Sequence, residues 1–331
     1  MSKPEAVAAI LWAGATLYAV FGGADFGAGV WSLLTFRGGG SGARARERIE
    51  RSLGPVWEAN HVWLIFCLVV LWTGFPKAFG PLMETLYVPL TLAAIGIVLR
   101  GSGFAFGHTF GGAGKLRSEK VFAVSSLITP FFMGCVVGAI ASGAVPASGP
   151  GDPFSSWLAP LPVLVGALFV VSGAYIAAVF LTDDSRRAGE EENAEYFRRR
   201  AIGAAVLAGG LAAAGLLVLR ADARFVFDGL TGEGLPLLIA SGVLGLLALG
   251  ALVRGVRRGV RPLAVGAVVA VIWGWAIAQH PYLFPESLTI EQGAGVGSTL
   301  TAVIITFGFA LAIVGPALVF LYWLSQRQAL E

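Results

Sequence analysis

Long apolar runs recur along this chain, and they limit its possible folds more than any other feature. Most of the runs are close to the roughly 20 residues that a helix needs to cross a bilayer. Soluble domains carry about 25% charged residues, whereas this chain of 331 residues carries 13%. The sequence therefore predicts an all-α, polytopic integral membrane protein with about nine transmembrane helices. The predicted spans are 6–36, 54–75, 82–100, 121–142, 157–181, 201–219, 235–253, 262–279 and 299–324.

The segments between the spans are too short to fold as separate domains. The longest are Gly/Pro-rich stretches at 143–156 and 280–298, and Pro76 and Pro81 predict a tight hairpin. We expect residues 1–331 to form one transmembrane domain, with halves at 6–142 and 157–279 and a last helix at 299–324. Glycines within the apolar runs favour close packing of the helices.

Basic residues divide unequally between the two sets of loops. Nineteen of the 23 lysines and arginines fall in the segments 37–53, 100–120, 182–200, 254–261 and the C-terminus. Because cytoplasmic loops are enriched in Lys and Arg, these segments are predicted to be cytoplasmic. An odd number of spans then places the N-terminus outside and the C-terminus in the cytoplasm, and the same distribution argues against a nucleic-acid-binding surface.

Two acidic residues stand out because ionisable groups at membrane depth are costly and therefore candidates for function. Asp25 lies about 12 residues before Arg37, roughly 18 Å along a helix. Glu58 lies one turn into the second predicted span and shares a helix face with His61. This pair favours a proton relay, whereas packing for Asp25 and an interaction at the helix N-terminus for Glu58 remain alternatives.

Arg100 closes the third predicted span, where it can snorkel to the interface or form an ion pair with Asp25 or Glu58. The three histidines and three methionines show no spacing typical of haem or metal ligation. Cys67 and Cys135 fall inside apolar runs. The sequence predicts no metal and no bound cofactor for this chain.

The stretch at residues 54–65, GPVWEANHVWLI, resembles subunit II of the cytochrome bd quinol oxidases, including their cyanide-insensitive relatives. Three further regions share the resemblance, so that it covers nearly the whole chain. They are 24–27 (ADFG), 99–101 (LRG) with Phe104 and Phe106, and the region from Gly274-Trp275 through Gln279, Pro281-Tyr282-Leu283 and Pro285 to Leu288-Thr289-Ile290.

The resemblance implies nine helices arranged as two four-helix bundles and a peripheral helix. It also implies a respiratory enzyme complex in a prokaryotic plasma membrane that oxidises quinol and reduces dioxygen to water. Haems b and d and the quinol site are expected in the partner, subunit I, and a small accessory subunit and membrane lipid are further expected partners.

By similarity, Asp25, Glu58 and His61 would line a cytoplasmic proton route, and no residue of this chain would be catalytic. Arg100, with Trp57, Asn60 and Trp63 of the motif, is assigned a structural or ion-pairing role. The chain departs from the family where an acidic residue and an arginine often follow the third span, since it has Ala105 and Gly107-His108 there. Alternatives are a secondary transporter and a purely structural assembly subunit.

Overall fold

Helices make up most of the chain in the computed structural model, which describes residues 1–36, 39–53, 57–107 and 112–326. A short antiparallel hairpin within 282–289 pairs Tyr282 with Thr289. The elements are α1 (Lys3–Leu17), a π-helical turn (Tyr18–Gly22), α2 (Gly23–Thr35), α3 (Gly39–Leu53), α4 (Trp57–Gly74), α5 (Pro76–Thr85), α6 (Tyr87–Gly107), α7 (Gly112–Ala141), α8 (Pro160–Arg187), α9 (Glu191–Asp222), α10 (Arg224–Thr231), α11 (Leu235–Val253), α12 (Val260–Gln279), β1 (Tyr282–Phe284), β2 (Leu288–Thr289), α13 (Ile290–Gly293) and α14 (Gly297–Gln326).

The predicted all-α membrane fold is confirmed. Most predicted spans overlap one helix, whereas 6–36 overlaps α1, the π-helical turn and α2, and 82–100 overlaps the end of α5 and most of α6. Within the described ranges, seven helical segments are long and apolar enough to cross a membrane, and a bent pair, His61–Gly74 with Pro76–Thr85, makes an eighth candidate. Tyr87–Gly103 is a shorter apolar helix. The count of nine and the two-bundle arrangement are therefore not confirmed and stay predictions.

Several boundaries differ from the predicted ones. The chain bends by 119° between α4 and α5, because Phe75 precedes a proline and is kept out of the helical region, while Pro76 begins the next helix. The expected tight hairpin is thus a helix of 10 residues with Pro81 inside it. The predicted loop at 37–53 contains α3, and α6 continues beyond Arg100 to Gly107.

Glycines allow α8 to pack closely against two helices of the first half. Gly27 of α2 faces the carbonyl of Gly173 so closely that a Cβ atom would collide with it. Gly134 of α7 also has no room for a side chain, since an added Cβ atom would lie 2.7 Å from the Cα of Gly166. Trp31 Nε1 fastens the first contact by donating to the carbonyl of Ala174 at 2.7 Å. The division into halves at 6–142 and 157–279 stays a prediction, but the halves meet along α8.

Ion pairs gather the basic segments at one end of the helices, which we call the basic end. Arg46 of α3 lies 3.2 Å from Glu119 of α7, and Arg44 lies 2.6 Å from Glu192 of α9. Arg257, between α11 and α12, lies 3.2 Å from Glu191. The segments 39–53, 112–120, 182–200 and 254–261 therefore share this end, which is the grouping that the charge distribution predicts.

The N-terminus and the Gly/Pro-rich segments meet at the opposite end. Ser2 Oγ donates to Glu291 at 2.5 Å, and Gly295 N–H donates to the carbonyl of Gly74 at 2.8 Å. Gly151 N–H donates to Thr85 Oγ1 at 2.9 Å. The last helix, α14, contacts α1 and α4 and exposes large apolar side chains such as Ile313 and Phe309.

The close contact between α2 and α8 gives a first prediction. Replacing Gly27 with alanine should lower the unfolding midpoint of the purified complex, because overpacking costs about 1–3 kcal/mol. The matched control is Gly209→Ala in α9, where nothing lies within 4 Å of the new Cβ and the higher helix propensity of alanine should be neutral or stabilising. Thermal unfolding followed by intrinsic fluorescence measures both; equal midpoints would contradict the packing argument.

Candidate functional site

A fully buried ion pair joins α2 to α6. Arg100 Nη2 lies 2.5 Å from Asp25 Oδ1, and the two side chains are 0% and 1% exposed. The same nitrogen donates to the backbone carbonyl of Asp25 at 3.2 Å. Of the two interpretations left open for Arg100, the structure shows the ion pair and not snorkelling. Arg100 therefore does not belong to the basic loops. Without it, the predicted cytoplasmic segments still hold most of the lysines and arginines.

Residues of α2 and α7 complete the surroundings of the guanidinium group. Arg100 Nη1 donates to Ser126 Oγ, and the ring centroids of Phe122 and Phe26 lie 4.1 Å and 4.8 Å from the guanidinium carbon. Gly29 leaves the space for this arrangement, because a Cβ there would collide with Ser126 and lie 3.0 Å from Nη1. Carboxylate, hydroxyl and aromatic faces thus replace the water that a buried cation loses.

The π-helical turn lies directly before the helix that carries Asp25. A π-helical turn is uncommon and is frequent at functional sites, since it shifts the phase of the helix around it. The Tyr18 ring packs edge-on against Phe26, with centroids 6.4 Å apart. Its hydroxyl is buried and lies within electrostatic range of Asp25 and Arg100.

Three polar atoms of this site have no hydrogen-bond partner among the described residues. They are Asp25 Oδ2, Arg100 Nε and the Tyr18 hydroxyl. Buried polar groups in proteins are nearly always bonded, frequently to internal water. The site thus presents a carboxylate oxygen that the arginine does not hold and that can accept a hydrogen bond from water.

His61 is the other predicted residue that the structure brings to this site. Its ring packs edge-on against Phe26, with centroids 6.0 Å apart, and it lies within electrostatic range of Asp25 and Arg100. Trp63, two residues along α4, packs edge-on against Phe66 with centroids 6.3 Å apart. Trp63 has no described contact with the ion pair.

The remaining predicted site residues fall on α4 at the basic end. Trp57, Glu58 and Asn60 belong to the first turn of α4, which follows α3, but their side chains lie outside the described part of the structure. His108 lies outside the described residues altogether. The helical spacing between Glu58 and His61 follows from α4.

Sequence reasoning did not identify Ser126, Phe122 or Tyr18. A serine pair at 125–126 within an apolar run is a weak signal of a helix face turned to the interior. No periodicity in the sequence shows that this face meets Arg100. Among the residues described, no group of three or more His, Cys, Asp or Glu side chains is placed to hold a metal ion.

Comparison with known proteins gives consistent matches over nearly the full length. The profile of the family described as cytochrome bd terminal oxidase subunit II matches residues 4–325. The putative cytochrome bd menaquinol oxidase subunit II of Bacillus subtilis (strain 168) is 23% identical over 333 residues, which covers 96% of this chain and 94% of that protein. The cytochrome bd ubiquinol oxidase subunit 2 of the same organism is 28% identical over 116 residues, 34% of this chain and 32% of that protein.

A solved structure agrees with these sequence matches. One chain of the bd oxidase from Geobacillus thermodenitrificans superimposes with a TM-score of 0.79 and 26% sequence identity. The superposition covers 98% of each chain. The similarity therefore includes the entire arrangement of helices around the buried ion pair.

The ion pair gives a second prediction. Asp25→Asn leaves Arg100 as a buried cation without a counter-charge, and breaking a buried pair in this way costs about 3–5 kcal/mol. We expect a large loss of folded complex in Asp25→Asn and in Arg100→Gln, and partial recovery in the double variant. Folded yield and unfolding midpoint measure the coupling. Additive losses in the double variant would show that the pair does not act as a unit.

Proposed function

The chain belongs to the cytochrome bd terminal oxidase subunit II family, and from this premise we propose that it is the haem-free subunit that conducts protons to a haem-bearing partner. It is thus one subunit of a bd-type quinol oxidase, a membrane-bound oxidoreductase of a respiratory chain. Reducing dioxygen to water consumes a proton for every electron, so such a complex needs a path for protons into its interior. The observation that carries the proposal is the buried Asp25 carboxylate with one oxygen that no described residue binds.

The proposed route begins at the basic end and runs inward. The backbone of Glu58 lies in the first turn of α4, close in sequence to the basic helix α3, and His61 follows one turn deeper. His61 contacts Phe26, the residue next to Asp25. Glu58 and His61 thus provide ionisable groups, and Asp25 provides a carboxylate oxygen that no described residue binds, in sequence from the end of the bundle to its interior, as a proton path requires.

The histidines support placing the haems of this cytochrome complex in the partner subunit. His61 packs on Phe26 in the interior, whereas His280 lies at the opposite end, 3.7 Å from Glu5. These two side chains are not placed to bind one haem from both sides, which is one mode of haem ligation. We assign haems b and d and quinol oxidation to subunit I, and a small accessory subunit remains a further expectation.

The quinol stays unassigned, because the names of the two relatives specify different quinols.

We place the basic end in the cytoplasm of a prokaryotic cell, with the N-terminus outside and the C-terminus inside. The support is the grouping of four basic segments at that end, together with the preference of cytoplasmic loops for Lys and Arg. In this orientation the route through Glu58 opens to the cytoplasm, and proton uptake there contributes to charge separation across the plasma membrane.

A purely structural role is the alternative that the geometry favours most. Asp25 and Arg100 neutralise each other and connect α2, α6 and α7, which a scaffold would also require. A secondary transporter would need a substrate site near the midplane, built from broken helices. The bend between α4 and α5 is a break of this kind. However, Glu84, the acidic residue of α5, is the second-last residue of that helix and lies away from the bend, so it does not form a substrate site there.

The orientation can be tested by cysteine labelling in intact cells. Glu192→Cys places a thiol at the basic end, where the native side chain is 81% exposed, and Ser148→Cys places one in the exposed loop at the opposite end. An impermeant maleimide should label position 148 and not position 192 until the cells are opened. The parent chain with Cys67 and Cys135 gives the background, and labelling of position 192 in intact cells would reverse the topology.

The proton path is tested by substituting Glu58. Glu58→Gln keeps the size and hydrogen-bonding capacity of the side chain but cannot carry a proton, so dioxygen reduction should fall at least about tenfold, given that a positioned acid–base group contributes about 10²–10⁴-fold. Glu58→Asp should keep part of the activity. Haem spectra of the purified complex serve as the assembly control.

The outcomes separate the two roles. A Glu58→Gln complex that assembles with its haems but turns over slowly supports the proton path. Loss of assembly in Glu58→Gln, rescued in Glu58→Asp, supports the structural role. Turnover of the assembled Glu58→Gln enzyme at the wild-type rate would remove Glu58 from the mechanism.

A further inference from the structure

A cavity at the basic end lies between the last turns of α8 and the first turn of α12. Its volume is about 190 Å³, well above the roughly 10–15 Å³ that one water requires. Thr182 and Asp183 of α8 form one wall, and Val260 and Pro262 of α12 form another. Leu252, near the end of α11, also lines the cavity.

The side chains around this cavity are strongly cationic. Five guanidinium groups and a single carboxylate, that of Asp183, line it. The arginines are Arg186, Arg187, Arg257, Arg258 and Arg261. Like charges in such proximity repel one another, so the cavity is a site where an anion would relieve an existing electrostatic cost.

The acidic residues near the cavity do not balance this charge. Asp183 is shared between Arg187 and Arg261, at 3.0 Å from each, and Arg261 also pairs with Asp184. Arg257 contacts Glu191 in an exposed pair. Arg258 has no ion pair within the described ranges of the chain, and it adds a free positive charge to the cavity wall.

The start of α12 contributes further donors. Gly259 is the N-cap residue, with a φ of 85°, and no side chain caps the helix there. Gly259, Val260 and Arg261 all line the cavity, so the first backbone N–H groups of a 20-residue helix lie at its wall. A helix N-terminus carries a partial positive charge and binds phosphate and other anions.

We propose that this cavity binds a phosphate group, carried by an anionic phospholipid or by a soluble phosphate. Guanidinium groups match phosphate oxygens in charge and in paired hydrogen-bond geometry. The exposed apolar side chains of Val253 and Val256 lie beside the arginines in the α11–α12 connection, which suits a phosphate attached to acyl chains. Basic pockets between transmembrane helices on the cytoplasmic side bind phospholipid headgroups in this way.

The test uses the oxidase complex, purified in detergent through a tag on this chain and depleted of lipid. The probes are phosphatidylglycerol, phosphatidylcholine and inorganic phosphate, with binding followed by native mass spectrometry and by the shift in unfolding midpoint. The variant is Arg258→Gln, which breaks no described ion pair. The matched control is Arg254→Gln, which removes the same charge from the same connection but at a residue outside the cavity.

The expected result is tighter binding of phosphatidylglycerol than of phosphatidylcholine, weakened about fivefold by Arg258→Gln and unchanged by Arg254→Gln. The same variant pattern with inorganic phosphate, in competition with phosphatidylglycerol, would identify a soluble phosphate as the ligand. Equal binding of the two lipids, or equal losses in the two variants, would overturn the proposal. These readouts do not depend on oxidase turnover, so they are separable from the test of the proton path.

Discussion

The buried ion pair between Asp25 and Arg100 is the interaction on which the interior of this protein depends. Each charge would cost several kcal/mol if it were left alone in an apolar bundle, so the pair forces α2 and α6 into one arrangement. Ser126 adds α7 to the same contact. Gly29 on α2 is the position where any larger side chain would prevent it. The ion pair can therefore form only where the helices pack this closely, so charge pairing and close packing depend on each other in this region.

Much of the fold follows from the sequence because the bilayer imposes one length and one composition on every span. Apolar runs located each long helix, and the distribution of arginines predicted which loops share an end. The boundaries follow less directly from the sequence, since Phe75-Pro76 changes a turn into a sharp bend between two helices. The predicted loop at 37–53 contains α3, whose residues at 39–53 are too polar for a span. A pattern of apolar runs does not find such a helix, although Ala45 and Ile49 lie one turn apart on its buried face.

The candidate site was only partly predictable for a different reason. A charge in an apolar run marks a functional residue, but helical periodicity does not tell which helix faces it. Arg100 therefore had two possible environments in the sequence, and only the packing of α2, α6 and α7 decides between them. Ser126 carries an ordinary uncharged side chain on another helix, so nothing in the sequence connects it with Asp25. Tyr18 lies seven residues before Asp25, a helical spacing, but an uncharged side chain in an apolar run does not stand out by itself.

The ion pair also limits how protons can pass the site. If Asp25 took up a proton while Arg100 stayed charged, the arginine would become an uncompensated buried cation, which is the state that makes a broken pair so costly. Water bound at Asp25 Oδ2, the oxygen that Arg100 does not hold, can relay a proton without that change of charge. Under the proposed function, Asp25 then orients the route and Glu58 exchanges protons at its entrance. The two carboxylates differ in role because Asp25 has a buried counter-charge, whereas Glu58 belongs to the first turn of α4, at the basic end.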